Sequence, residues 1–357
     1  MKMGIIGLPS AGKTTIFNAL TGSNLPTGTG AGAGQLEVHT AVVDVPDARL
    51  GKLSDLFKPR KTVFAKVTYA DIGGLKADAG REGLPGPLVN QLGQMDGLLH
   101  VVRAFDDPSV PHISGSVDPA RDLAAMEAEF VLNDMLAVDR RLAKLTEERQ
   151  KGGRDRGLID REIGLFQRLS EGLSHERPLR GMKCTLEEEQ LLTGFALLSL
   201  KPMLVVVNTA EGVQAPSVGA TGTGMLAIAL QGRLEMEIAQ LSPDEARSFL
   251  SEYGLGEPVR DRVIRVSYDL LGLESFFTVG EDEVRAWTLP RGETALDAAD
   301  AVHTDLARGF IRAEVIAWDE LLKLGSLAEA RAAGKLRVEG REYVVADGEI
   351  VHIRFNV

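Results

Sequence analysis

Eight residues constrain this chain more than any others. Residues 7–14 read Gly-Leu-Pro-Ser-Ala-Gly-Lys-Thr, with an apolar run at 3–6 ahead of them and a helical stretch at 14–20 behind. A glycine-rich loop between a strand and a helix turns successive backbone N–H groups toward one point, where they can hold phosphate oxygens. The start of the helix adds its partial positive charge there. Lys13 supplies a point charge for the β and γ phosphates, and Thr14 offers a hydroxyl to Mg²⁺, a cation that takes oxygen ligands. We therefore assign Pro9, Ser10, Ala11, Gly12, Lys13, Thr14 and Thr15 to a bound nucleotide. Every fixed position and both flanking elements are present, so a chance glycine-rich turn is the poorer account.

Further markers lie downstream. Asp71-Ile72-Gly73-Gly74 follows an expected strand at 62–69. An aspartate at a strand end beside the phosphate loop can hold Mg²⁺ through water, and Gly74 lets its backbone N–H approach the γ-phosphate unobstructed. Leu75 stands where many GTPases carry the glutamine that orients the attacking water, and leucine cannot hydrogen-bond water. His100, on an expected strand at 97–102, is a candidate donor or acceptor, with a satisfied core histidine as the competing account. The catalytic candidates are thus Lys13, Gly74 and His100. The base should be read by Asn208-Thr209-Ala210-Glu211, after a strand at 204–207. GTP-specific switches use Asn-Lys-x-Asp, the aspartate accepting from two guanine donors. Glu211 is one methylene longer and Thr209 replaces the lysine, so the guanine clamp weakens, while Asn208 can bond the edge of adenine. The expectation is relaxed selectivity that favours ATP.

Strands alternating with helices imply an α/β fold with a mostly parallel sheet. The first hundred residues show this texture, with a further strand at 38–45. A glycine-, alanine- and threonine-rich patch at 27–34 reads as a mobile loop. From residue 118 the pattern changes. Val131, Met135, Val138, Leu142 and Leu145 form a stripe, Gly152 and Gly153 break it, and Ile159, Ile163, Phe166 and Leu173 begin a second. This predicts an inserted helical hairpin of coiled-coil type. Arg140, Arg141, Lys144, Arg149, Lys151, Arg154 and Arg156 crowd its tip, as a solvated face or as a docking site for an acidic partner. Past 277, strands at 284–288, 341–345 and 350–355 with a helix at 295–306 predict a small α+β domain. The expected domains are 1–117 with 196–276, the insert 118–195, and 277–357.

Composition excludes several classes. One cysteine, Cys184, forbids a disulfide framework and leaves no Cys-based zinc site. A formal net charge of -11 argues against non-specific or sequence-specific DNA binding, though not against a local basic face. The most hydrophobic stretch, 195–207, is broken by Lys201 and Pro202 and falls short of the ~20 residues of a membrane span. No targeting segment is visible, and a cytoplasmic location is expected.

The loop 7–14, the Asp-Ile-Gly-Gly-Leu turn at 71–75, His-Val-Val-Arg at 100–103 and the Asn-x-x-Glu motif at 208–211 resemble the YchF or Obg-like ATPase family. More specific are 283–288 (Glu-Val-Arg-Ala-Trp-Thr), 303–305 (His-Thr-Asp), 309–316 (Gly-Phe-Ile-Arg-Ala-Glu-Val-Ile) and 354–357 (Arg-Phe-Asn-Val), which resemble that family's TGS domain. The resemblance implies a Ras-like P-loop NTPase domain, an inserted α-helical coiled-coil domain and a C-terminal ubiquitin-like TGS domain. It further implies slow Mg²⁺-dependent ATP hydrolysis, GTP as a weaker ligand, and ribosome binding. RNA would be met through a local basic patch, either the hairpin arginines or residues 58–61. The TGS domain would be a structural cap or such a surface. The alternatives are an Obg-type GTPase switch and a nucleotide-gated binding module with negligible turnover.

Three places depart from the family pattern. Gln35 stands where a threonine caps Mg²⁺, with Thr29 or Thr40 as substitutes. The loop after Leu75 is shortened and carries Pro85, and Gln231-Gly232-Arg233 replaces a small-residue turn at the fifth nucleotide element. Gln231 and Gly232 are accordingly placed at the nucleotide.

Overall fold

The computed structural model describes residues 1–27, 37–73, 84–219, 224–252 and 257–356. Gln35, Thr29, Gly74, Leu75, residues 80–83 and most of the 27–34 patch lie outside the described residues. Contacts divide the chain into two compact units, one of residues 1–41 and 68–263, the other of 42–67 and 264–357.

The chain opens with β1 (Lys2–Ile6), the phosphate-loop residues, α1 (Lys13–Thr21), β2 (Val38–Asp44), α2 (Ala48–Phe57), β3 (Lys61–Val63) and β4 (Lys66–Ile72). Then come α3 (Gly86–Gly93), β5 (Gly97–Ala104), α4 (Pro119–Lys151), α5 (Arg156–Ser174) and α6 (Leu186–Leu192). They are followed by β6 (Met203–Thr209), β7 (Met225–Leu230), α7 (Gly232–Ile238), α8 (Pro243–Glu252) and α9 (Val259–Leu270). The first sheet has the order β2-β4-β1-β5-β6-β7, and β4, β1, β5, β6 and β7 pair in parallel. Strands covered on both faces read as continuous apolar runs, and every residue of β6 is buried. Ile6, Leu98, Val102 and Val205 meet Leu92 of α3 and Phe130 of α4 in one core.

The hairpin follows its sequence pattern. Asp118 caps α4 by accepting from the Arg121 N–H, Pro119 occupies the first turn, and Gly152 at φ 72 ends 33 helical residues. At 1.5 Å per residue that helix is about 50 Å long. Val131, Val138 and Leu145 pack with Ile159, Phe166 and Leu173, while Met135, Leu142 and Ile163 are half-buried beside them.

The second unit continues with β8 (Leu273–Val279), β9 (Glu283–Pro290), α10 (Ala295–Val302), α11 (Thr304–Arg308) and β10 (Phe310–Ala317). The chain then forms α12 (Trp318–Leu324), α13 (Leu327–Ala332), β11 (Arg337–Glu339) and β12 (Glu349–Phe355). Its sheet has the order β11-β10-β12-β8-β9-β3. Phe276, Leu289, Ala298, Phe310 and Val315 form its core.

Three sequence expectations are corrected here. The strand expected at 62–69 is two: β3 pairs with β9 in the second sheet, whereas β4 joins β1 in the first. Phe64 and Ala65 separate them, and the Ala65 carbonyl accepts from the Val45 N–H instead of a ladder partner. The strand expected at 341–345 is a turn with one isolated bridge, Thr294 to Val344. Its carbonyls serve a helix end: Tyr343 and Arg341 accept from the Ala295 and Leu296 N–H groups that α10 cannot satisfy internally. The helix expected at 295–306 breaks at His303, which is extended (φ -169) and caps α11 through its imidazole.

Candidate nucleotide site

The loop is shaped by backbone that side chains would obstruct. Gly7 has φ +147, and a Cβ there would lie 2.3 Å from the Val101 carbonyl oxygen. Ser10 adopts φ 61, a left-handed conformation uncommon outside glycine. Gly12 precedes α1 with φ +93, and a Cβ there would lie 2.3 Å from Nδ2 of Asn208. Among the described residues no side chain caps the start of α1 and its first turn holds no acid, so its N–H groups stay available.

Lys13 is drawn into this loop. Its Nζ donates to the carbonyls of Gly7 and Leu8, both at 3.0 Å. Burial lowers its pKa from 10.5 to about 8, the nearby Asp71 carboxylate opposing the shift. Thr14 Oγ1 donates to Asp71 Oδ2 at 2.7 Å, and Asp71 is buried at the end of β4. The two oxygen-bearing side chains expected at Mg²⁺ thus stand side by side, a donor set of the kind a hard cation takes.

Asn208 does something the sequence did not suggest. Its Nδ2 donates to the Ala11 carbonyl at 3.0 Å, and its Oδ1 accepts from the Gly232 N–H at 3.1 Å. The side chain therefore ties the phosphate loop to the turn before α7. Gly232 is required here, since a Cβ would lie 2.7 Å from that same Oδ1. Thr209 is buried beside Asn208, Glu211 is exposed, and Gln231 is the residue at the start of α7. Arg103, opposite Asn208 in the β5–β6 register, is buried with its guanidinium over the Phe105 ring at 4.6 Å. The sequence reading assigned neither residue a role, because the stack depends on how the chain leaves β5.

His100 pairs with Ile6 across β1 and β5 and is fully buried. Neither ring nitrogen has a hydrogen-bond partner among the described residues. Burial, with the charges of Lys13 and Arg180, lowers its pKa to about 3. Its imidazole is therefore neutral at pH 7 and lies inside the sheet, one strand from the phosphate loop.

Two family models match the chain: one described as "50S ribosome-binding GTPase" over residues 2–138, and YchF-GTPase_C, described as a protein of unknown function, over 273–356. A curated relative, the Ribosome-binding ATPase YchF of Bacillus subtilis (strain 168), is 39% identical over 370 residues and covers 99% of both chains. The chain belongs to the YchF family. The Pasteurella multocida (strain Pm70) relative of the same name is 36% identical over 369 residues, covering 100% of this chain and 99% of its own. The solved Schizosaccharomyces pombe YchF GTPase superposes with a TM-score of 0.85 at 29% identity, over 99% of this chain and 97% of that one.

In this YchF-family chain several hairpin cations are paired within the hairpin itself. Arg141 pairs with Glu162 and with Glu148 at 3.2 Å, and Arg154 reaches the buried Glu162 at 2.8 Å. Arg149 pairs with Asp160 at 2.9 Å and Lys151 with Glu147 at 3.1 Å. Helix-borne acids interleaved with the bases therefore pair with four of the seven basic residues that the sequence places at the tip. Of residues 58–61, Arg60 is paired with Asp282 at 3.3 Å. The root is anchored separately: Asp134, fully buried, accepts from the backbone of Leu198 and Ser199 and from the Ser199 hydroxyl. Among the described residues no helix is long and apolar enough to cross a membrane.

Proposed function

We propose that this chain is a Mg²⁺-dependent P-loop NTPase that hydrolyses ATP to ADP and phosphate, takes GTP more weakly, and works in association with ribosomes in the cytoplasm. The convergence of Lys13, Thr14 and Asp71 on the mouth of the 7–14 loop carries the reading. When a nucleotide binds, Lys13 exchanges two loop carbonyls for phosphate oxygens, and the loop N–H groups hold the charge that develops on the transferred phosphoryl group. Thr14, and Asp71 through water, would hold Mg²⁺, which neutralises phosphate charge when bound. Asn208 keeps the loop and the turn at Gln231 and Gly232 in register, and with Thr209 and Glu211 it is placed at the base. The longer Glu211 is what favours adenine over guanine. Leu75 in place of a water-orienting glutamine makes turnover without a partner slow. Gln35 and Gly74 are proposed at Mg²⁺ and at the γ-phosphate. The relatives' names support ribosome association, and the match to ribosome-binding GTPases supports the hydrolase class.

The test is calorimetric binding of non-hydrolysable ATP and GTP analogues with Mg²⁺, with Lys13→Ala as the blank. Tighter ATP binding is expected. Tighter GTP binding would overturn the reading of Thr209 and Glu211 and leave a GTPase-type switch on the same loop. Binding unaffected by Lys13→Ala would remove the nucleotide from this site altogether.

A further inference from the structure

The second sheet is incompletely zipped between two of its strands. Among the described residues β12 pairs with β8, in parallel, at one position, Ile350 to Phe277. Beyond it the strands border a cavity of about 210 Å³. Thr278 of β8 and His352 and Phe355 of β12 line it, with Val302 of α10, Leu306 of α11 and Leu327 of α13. The side chains on its wall are apolar except those of Thr278 and His352. The Thr278 hydroxyl oxygen already accepts from the Trp287 indole N–H at 2.9 Å. Protein interiors leave few spaces wider than one water, and a water held in such a space needs two to four polar partners. A space of this size with these walls therefore suits an apolar guest better than water. Phe355 is 46% exposed and His352 is exposed, so the cavity opens to solvent on the β12 side.

Cations stand at that opening. Arg354 lies between Ile353 and Phe355, both on the cavity wall. Arg331 is one helical turn after Leu327, on the same side of α13. Both pair with Glu314 through Nη2, Arg331 at 2.9 Å and Arg354 at 3.1 Å, which leaves their other N–H groups without an acceptor among the described residues. Arg312, directly opposite Arg354 across β10 and β12, brings a third guanidinium to this face. Three cations therefore share one carboxylate. Burial, then Arg354 and Arg331 acting against Glu314, hold the His352 imidazole below its ordinary pKa. The ring on the cavity wall is thus uncharged at pH 7 and lies within the field of both guanidinium groups.

We propose that this cavity is a small-molecule site for a medium-chain alkyl carboxylate, its tail between β8 and β12 and its carboxylate on Arg354 and Arg331 at the mouth. Charge and shape select that class together. The planar fork of an arginine gives two parallel N–H donors to the two oxygens of a carboxylate. The walls behind it offer almost no polar partner, so the rest of the ligand is hydrocarbon. An apolar cavity of ~150 Å³ holds a benzene ring, so this one takes a tail of about six to eight carbons. The site uses no residue of the 7–14 loop, and it stands whether or not the nucleotide reading does.

Calorimetric titration of the full-length chain with butanoate, hexanoate, octanoate and dodecanoate, each below its micelle concentration, tests this. Affinity should rise about fourfold per added methylene as far as octanoate and rise no further at dodecanoate, whose tail outgrows the cavity. Arg354→Gln and Arg331→Gln should each weaken octanoate several-fold and leave octan-1-ol, the uncharged counterpart, unchanged. Leu327→Trp, which fills the cavity, should abolish binding of both, with thermal melting to show that the variant is folded. In the wild type, NMR methyl shifts of Val302, Leu306 and Leu327 should move with octanoate, a readout that needs no variant. Absence of octanoate binding at millimolar concentration overturns the proposal, as do unmoved methyl shifts or full binding by folded Leu327→Trp. Affinity that keeps climbing through dodecanoate overturns it too, as adsorption to an open surface. Octan-1-ol binding as tightly as octanoate overturns the choice of a carboxylate.

Discussion

Raising the pH should unload the nucleotide site through one side chain. In the free chain Lys13 has a pKa of about 8, because burial disfavours its charge more than Asp71 favours it. Phosphate oxygens replacing the Gly7 and Leu8 carbonyls favour the ammonium, so the complex holds the proton more firmly than the free site does. Linkage then fixes the sign: affinity is flat below pH 8 and falls as pH rises through it. The protonated fraction drops from about 0.9 at pH 7 to about 0.03 at pH 9.5, which raises Kd about 30-fold, roughly 2 kcal/mol. Titration of a non-hydrolysable Mg²⁺-ATP analogue, in paired buffers with different ionisation heats, measures both quantities. Near pH 8 binding should take up about half a proton. Lys13→Met should bind weakly and without this pH dependence. Constant wild-type affinity from pH 7 to 9.5, or no proton uptake, would refute the assignment of Lys13 as the buried phosphate ligand. The free protein responds in the opposite sense. Its folded Lys13 pKa lies below the unfolded 10.5, so the unfolded chain binds more protons between 8 and 10.5. The stability penalty, present in full below pH 8, is relieved as pH rises through that window.

Asn208→Ala should lower the melting temperature and nucleotide affinity together, since it strands the Ala11 carbonyl and the Gly232 N–H in a buried place at about 1–3 kcal/mol each; calorimetry and melting on one preparation check this. His100 has its folded pKa depressed from 6.5 to about 3, so wild type should lose roughly 2–3 kcal/mol between pH 7 and 4.5 as the unfolded state takes up the proton. Denaturant unfolding at the two pH values should show a smaller loss for His100→Leu, and equal losses would place the histidine in a wetter or paired environment. Glu162→Gln removes the buried carboxylate between Arg141 and Arg154 and should destabilise the hairpin by roughly 3 kcal/mol. Hydrogen exchange should then quicken in α4 and α5 while β1 and β5 keep their protection.

What the sequence made legible was local. Residues 7–14 could be read because the glycines, the lysine and the threonine that the chemistry needs fall at fixed spacing within eight positions. The hairpin could be read because apolar residues recur at helical spacing and Gly152 and Gly153 stop them. Two of the misreadings share one cause, a partner distant in sequence. Residues 62–69 look like one strand until β9, more than two hundred residues on, claims the first part of it. The basic tip looks free until Glu162, 21 residues after Arg141, is folded against it.

The site itself shows how local and distant requirements combine. Gly12 is legible as a loop glycine, yet loop torsion is only part of the reason it must be glycine. The other part is the amide of Asn208, 2.3 Å from where a Cβ would stand. That amide is held in place by Gly232, whose own lack of a side chain makes room for it. The sequence reading placed all three residues at the nucleotide, each for a reason of its own. Their geometry makes them one device, in which two glycines let a single asparagine bind the phosphate loop to the turn before α7. A side chain at either glycine should therefore act as Asn208→Ala does, by loosening the loop that Lys13 must share with a phosphate.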